Sequence, residues 1–126
     1  MRLDWIKNDS FLLEDQNTKQ TLNQYDVVLV NLDPTVGSEI KKTRPCVVIS
    51  PDELNRHIRT IVVAPMTSTL KDYPTRVKVK FSKKEGRIAV DQIRSIDRKR
   101  IVQNLGCIKP AEVKRLKSVI FETYVA

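Results

Sequence analysis

The sequence predicts an α+β domain: about six short strands curl into a small sheet or barrel, and one C-terminal helix packs on it. Three observations carry that expectation. From Tyr25 onward, short runs rich in Val and Ile alternate with breaks of Pro, Gly, Asn, Asp and Ser, the texture of β-structure. Residues 76–81, RVKVKF, alternate cationic and apolar side chains without exception, which is the period of a strand with one buried face. Only near the C-terminus, in PAEVKRLKSVIFETYVA, do apolar residues recur at helical spacing. At 126 residues the chain has the length of one domain, enough to bury a core without disulfide staples.

Taken in order, residues 1–24 stand apart. They hold the only Trp, Trp5, an apolar cluster of Phe11, Leu12 and Leu13, and then a polar Gln/Asn/Thr tail. This reads as an N-terminal appendage ending in a linker, with residues 25–126 as the folded domain. YDVVLVNL is a strand with Val27 and Leu29 on one face and Val28 and Val30 on the other. DPTVGSEIKKT, with Pro, Gly, Ser and two lysines, is a loop of about ten residues, and loops that long are commonly functional. RPCVVIS is near-continuously apolar, as a strand buried on both faces must be. Ser50, Pro51 and Glu53 then have the spacing of a capping box that opens a short helical turn through Asn55.

RTIVVAPMTS is a third strand. Tyr73 and Pro74 mark a turn, and in the strand after it Val77, Val79 and Phe81 point inward while Arg76, Lys78 and Lys80 point out. Residues 83–86, KKEG, turn the chain into GRIAVDQIRSID, which reads as one strand, and a last strand lies around QNLGCIK. Pro110 opens the long helix. Its stripe of Val113, Leu116, Ile120 and Tyr124, with Phe121 beside it, packs on the sheet; Lys114, Arg115 and Lys117 face solvent.

Charge narrows the function. Twenty-three Lys and Arg stand against fifteen Asp and Glu, a net +8. Residues 1–24 carry three basic and four acidic side chains, so residues 25–126 alone reach +9. A compact domain that basic points to a polyanion, RNA or DNA first. Three glycines, Gly37, Gly86 and Gly106, cannot supply a glycine-rich phosphate cradle. One histidine, His57, and two distant cysteines cannot assemble the usual zinc site or a two-histidine nuclease. No cofactor or metal is expected. Cys46 and Cys107 both lie in apolar runs and read as reduced core residues rather than a disulfide. No apolar stretch approaches a membrane span, and the N-terminus lacks a signal-peptide core; a cytoplasmic protein without membrane partners is expected.

The candidate chemistry comes from the long loop and the strand ends. Ser38, Glu39, Lys41 and Lys42 occupy the loop, and Arg44 sits before Pro45 at the mouth of a buried strand. Thr67 and Ser68 follow the apolar VVAPM. Asp91 and Gln92 interrupt the apolar IAVDQI, where a carboxylate costs free energy unless hydrogen-bonded. Lys41, Lys42, Arg76 and Lys78 suit sequence-blind contacts to phosphates, and Tyr73 is the aromatic best placed to stack on a base. His57 reads as a surface residue.

Five segments in series resemble one family. They are DVVLVNLDPTVGSE (residues 26–39), TRPCVVIS (43–50), VVAPMTS (62–68), YPTRV (73–77) and VDQIRSID (90–97). Together they span about two-thirds of the chain and resemble the MazF/PemK/Kid toxins of bacterial toxin–antitoxin systems. The resemblance implies an SH3-like curled barrel with a C-terminal helix, working as a homodimer and silenced by a cognate antitoxin. It implies a sequence-specific, metal-independent endoribonuclease that cuts single-stranded RNA by attack of the substrate's 2′-hydroxyl. The ends would be a 2′,3′-cyclic phosphate and a 5′-hydroxyl. On the family pattern Arg44 stabilises the phosphoryl group or donates a proton, and Thr67 holds the scissile phosphate or orients the 2′-hydroxyl. Glu39 and Asp91 are the candidate bases, with Ser38, Ser68 and Gln92 also toward the substrate. The Kid branch has a histidine where this chain has Ser38 and an arginine where it has Ala89, so the Arg/Thr pair is the better template. The alternative is a gyrase poison of the CcdB type on the same fold. Those proteins rely on a terminal Trp-Gly-Ile, whereas this chain ends Tyr124, Val125, Ala126.

Overall fold

The computed structural model describes residues 21–31 and 43–126. The expected appendage through residue 20, and the long loop with Ser38, Glu39, Lys41 and Lys42, lie outside the described residues. The elements run β1 (Asp26–Asn31), β2 (Thr43–Val48), α1 (Asp52–His57), β3 (Thr60–Thr67), β4 (Arg76–Phe81), β5 (Lys84–Ala89), β6 (Arg94–Asp97), β7 (Ile101–Cys107) and α2 (Pro110–Tyr124). Short 3-10 turns occupy Val90–Gln92 and Arg98–Arg100. All seven strands join one antiparallel sheet in the order β4-β5-β3-β2-β1-β7, with β6 also on β3. The α+β expectation holds, with one strand more than the sequence suggested.

The sheet curls until its outer strands meet. A Cβ built on Gly106 of β7 would stand 3.6 Å from Phe81 Cζ of β4, and Gly106 has a φ of +128°, a conformation that costs glycine nothing. Two cores flank the central strands. Val27, Val47, Ala64, Met66, Val77, Val79 and Ile88 pack with Leu116 and Val119 of α2. On the other side, Val28, Val30, Cys46, Val48, Ile61 and Val63 pack with Ile96 and Ile101. That double burial is why β2 and the centre of β3 read as unbroken apolar runs. Each buried Val or Ile contributes about 1.5–3 kcal/mol, so these strands are the firm base on which the groove described below rests.

The helix α2 packs largely as its pattern predicts, with two changes. Leu116 and Val119 are its buried residues, and Val113 and Ile120 pack beside them. Phe121 and Tyr124, expected in the core, are exposed, although the Tyr124 hydroxyl donates to Val90 O at 2.7 Å. At the other end Glu112 satisfies two strands of chain at once. Its Oε1 accepts from Lys109 N and its Oε2 from Lys80 N, both at 2.9 Å, tying the helix start to β4.

Several sequence expectations change. Leu22 is buried in the second core, and Gln24 N donates to Asp52 Oδ1 at 2.7 Å; residues on the appendage side of the expected boundary therefore belong to the fold. Ser50 forms no capping box, because its hydroxyl is spent elsewhere: it donates to Asn55 Oδ1 at 2.6 Å and accepts from Val62 N at 3.1 Å. Both Ser50 and Asn55 are buried, and a buried polar pair must satisfy itself before it serves a helix end. α1 also continues to His57, which is exposed as expected.

The β4–β5 connection is tighter than the KKEG reading. Ser82 and Lys83 make it alone, with φ of 49° and 66°, the double left-handed turn whose twist suits a two-residue hairpin. Gly86 consequently lies within β5. Cys107 is exposed, while Cys46 is buried, and both are free thiols. Among the described residues no helix is long and apolar enough to cross a membrane.

Residues 86–97 form two strands rather than one. Met66 pairs with Ile88 and Val63 with Arg94, so β3 advances three residues while its partner advances six. The surplus, Val90, Asp91 and Gln92, is the 3-10 turn. It lifts Asp91 and Gln92 off the ladder and exposes them, which removes the desolvation problem that a strand position would have posed.

Candidate functional site

A groove of about 530 Å³ opens where four pieces of the sheet converge. The start of β2 contributes Thr43, Arg44 and Pro45, and the end of β3 contributes Met66, Thr67 and Ser68. The β4–β5 hairpin adds Phe81, Ser82, Lys84, Glu85 and Gly86, and β7 adds Leu105. A volume of this size lies in the range of ligand sites.

Local sequence explains each wall. Antiparallel β2 and β3 pair Cys46 with Pro65 and Val47 with Ala64; the groove opens beyond this end of the ladder, and Arg44 and Thr67 both line it. Leu105 reaches the groove because β7 bulges there: Val27 pairs with Gly106 and Val28 with Asn104, leaving Leu105 as the extra residue. Gly86 permits the closest approach. A Cβ on it would lie 2.8 Å from the Thr67 carbonyl oxygen, so any other residue would push the end of β3 away.

Arg44 is exposed and forms no ion pair among the described residues. Its charge is therefore available to an incoming anion. Thr67 is half-buried and its Oγ1 accepts from Thr69 N at 3.2 Å, which leaves the hydroxyl proton to donate. Ser68 stands exposed beside it.

A second cluster lies at the other end of β4 and outside the groove lining. Arg76 Nε donates to Asp91 Oδ1 at 2.9 Å and Arg76 Nη2 to Oδ2 at 3.3 Å. Thr75 Oγ1 donates to Asp91 Oδ1 at 3.0 Å, and the Tyr73 ring lies under the Arg76 guanidinium, 5.3 Å from its centroid. The Arg76 hydrogen bonds hold the Asp91 carboxyl below its ordinary value, against a smaller opposing effect of burial and with help from Thr75.

Of the residues singled out from sequence, Arg44, Thr67 and Ser68 come together in one groove. Asp91, Arg76 and Tyr73 gather in the second cluster. Gln92 sits exposed on its 3-10 turn, and Lys78 faces outward on β4 opposite Arg87. Ala89, at the Kid-branch arginine position, is buried. The hairpin residues Phe81, Lys84 and Glu85 were missed, since nothing in KKEG marks which sheet edge it will meet. Arg87 was missed too, although a lone cation inside the buried run RIAV was a usable signal. Its side chain is 5% exposed. It donates to Asp72 Oδ1 at 3.0 Å, Gly86 O at 2.9 Å, Glu85 Oε1 at 3.4 Å and Leu70 O at 3.4 Å, pinning the segment after Thr67 to β5. No group of three or more His, Cys, Asp or Glu able to hold a metal occurs among the described residues.

Known proteins resemble this chain in sequence and fold. The family of PemK-like, MazF-like toxins of type II toxin–antitoxin systems matches residues 23–123. The chain is 34% identical over 96 residues to the endoribonuclease toxin MazF of Escherichia coli (strain K12), covering 75% of this chain and 86% of that protein. It is 33% identical over 101 residues to the endoribonuclease MazF of Staphylococcus saprophyticus, covering 75% and 84%. A crystal structure of MazE–MazF from Deinococcus radiodurans superposes with a TM-score of 0.69 at 25% identity, over 82% of this chain and 95% of that one. The chain belongs to the PemK-like, MazF-like toxin family of type II toxin–antitoxin systems.

Proposed function

We infer that this chain is a sequence-specific endoribonuclease toxin acting on single-stranded RNA. The observation that carries the reading is that Arg44 and Thr67 line one groove, in a chain whose relatives are named endoribonucleases. The substrate's 2′-oxygen attacks phosphorus, the bond from phosphorus to the 5′-oxygen breaks, and a 2′,3′-cyclic phosphate and a 5′-hydroxyl result. The 2′-hydroxyl proton passes to a base, and the departing 5′-oxygen takes one from an acid. Arg44 presents an always-charged planar fork to the phosphoryl oxygens as charge builds on them. Thr67 donates its hydroxyl to the phosphate or orients the 2′-hydroxyl. Glu39 and Asp91 remain the candidate bases. The ion pair of Asp91 with Arg76 and its place outside the groove lining favour a bracing role for it, with Arg76 and Tyr73 at an outer subsite beside Gln92. Ser38, Ser68, Lys41, Lys42 and Lys78 would meet the rest of the strand, the cations through phosphates.

The partners follow the family: a homodimer, a cognate antitoxin such as the MazE seen with Deinococcus radiodurans MazF, and a cytoplasmic setting. The gyrase-poison alternative is set aside, because the matched relatives are nucleases. Purified protein in EDTA should cut labelled single-stranded RNA to cyclic-phosphate ends. Arg44→Ala and Thr67→Ala should each lower the rate about 10²–10³-fold, the scale of losing one transition-state donor, while melting like the parent. Cutting that needs magnesium, or that survives loss of both side chains, would refute the mechanism.

A further inference from the structure

Glu85 is the one carboxylate among the described residues that line the groove. Its side chain is 59% exposed, and its Oε1 accepts from Arg87 Nη1 at 3.4 Å. Arg87 is itself immobilised by Gly86 O, Asp72 and Leu70 O. The Glu85 carboxylate is thus held on one oxygen by Arg87 in a side chain that lines the groove, and its remaining lone pairs are open to a ligand. An acceptor oriented before the ligand arrives loses little entropy on binding.

A carboxylate repels a phosphodiester, so the RNA backbone would follow Arg44 and Lys84 instead. What can approach Glu85 is a neutral donor of the strand. The walls there are apolar, Met66, Phe81 and Leu105, which match the face of an unstacked base better than a ribose. Two carboxylate oxygens ask for two adjacent donors. Guanine alone presents them, N1–H beside the N2 amino group. Adenine and cytosine place a ring acceptor next to their amino group, and uracil flanks its one N–H with carbonyls.

We propose that the hairpin side of this groove is a base pocket in which Glu85, held by Arg87, reads the donor edge of a guanine next to the scissile phosphate. The proposal rests on the endoribonuclease reading and names the base that the site selects.

The test is cleavage of a single-stranded RNA pool carrying a randomised window, with ends mapped by sequencing, for the parent, Glu85→Gln and Glu85→Ala. The parent should prefer guanosine at one position adjoining the cut by about 5–150-fold, the discrimination of a good bidentate contact. Glu85→Gln offers one acceptor and one donor and should shift that position toward adenosine or cytidine; Glu85→Ala should make it indifferent. Inosine, which lacks the N2 amino group, should slow the parent but not Glu85→Ala. Circular dichroism and melting check that both variants fold. A guanosine preference that both variants retain overturns the proposal. So does a parent with no guanosine preference beside the cut, or a Glu85→Ala that slows all sequences equally, as a ribose contact would. A parent that cuts no RNA in the pool overturns the endoribonuclease reading itself, and the base assignment falls with it.

Discussion

Gly86 lies so close to Thr67 that a Cβ on it would stand 2.8 Å from the Thr67 carbonyl oxygen, with Val79 Cγ1 at 4.0 Å. The end of β3, which carries the proposed catalytic threonine, is therefore set by the absence of one methyl group from β5. Backbone cannot yield as a flexible side chain would. Gly86→Ala should displace Thr67 and cost about 1–3 kcal/mol, the usual penalty of overpacking. Urea unfolding reads the stability, and RNA cleavage should fall by more than the folded fraction does. A variant that unfolds at the parent's midpoint and cuts at the parent's rate would show that the contact constrains nothing.

The Arg76–Asp91 pair gives a pH-dependent test. The Asp91 carboxyl is held below its ordinary value by Arg76 first, then Thr75, so folding favours its ionised form. That stabilisation is complete above the usual aspartate value of about 3.9 and is lost as pH falls through the lower folded value. The Asp91 side chain is 37% exposed, so solvent limits the effect to about 1 kcal/mol or less. Asp91→Asn should be the less stable protein at neutral pH. The difference should shrink with added salt and vanish in acid below the carboxylate range. Denaturant curves for both proteins across that range check it; a difference that persists in strong acid would mean that Asp91 matters for something other than its charge.

The two thiols should behave differently. Cys46 is buried, and burial pushes its thiol up to about 12, with Arg44 and Arg94 pulling weakly the other way. Cys107 is exposed. Since the thiolate is the reactive form, iodoacetamide at neutral pH should modify Cys107 in the native protein and leave Cys46 untouched until it unfolds. Peptide mass spectrometry locates the adduct, and native modification of Cys46 would contradict its burial.

Some of the site was legible before the fold. Arg44 and Thr67 each sit at the end of an apolar run, where a polar side chain marks a strand mouth, and both lie in the groove. Leu105 could not be read, because its position depends on a bulge that exists only against β1. Glu85 could not either, since the segment around it reads as an ordinary charged turn. Ser50 misled because hydroxyls serve helix ends and strand amides alike, and only the neighbouring Val62 N and Asn55 decided between them.

What the sequence determined by itself is periodic and local. The strict alternation in β4, the unbroken apolar runs of β2 and β3, and the Pro-initiated helix each follow from side-chain spacing along one element. The tertiary structure decided what depends on two elements at once. The pairing of β3 with both β5 and β6 extruded Asp91 and Gln92 from what reads as one strand. The hairpin then closed over the end of β3, and the groove took its missing wall from residues some forty positions beyond Arg44. Spacing along a chain fixes which face a residue occupies; only the register between strands fixes what that face meets.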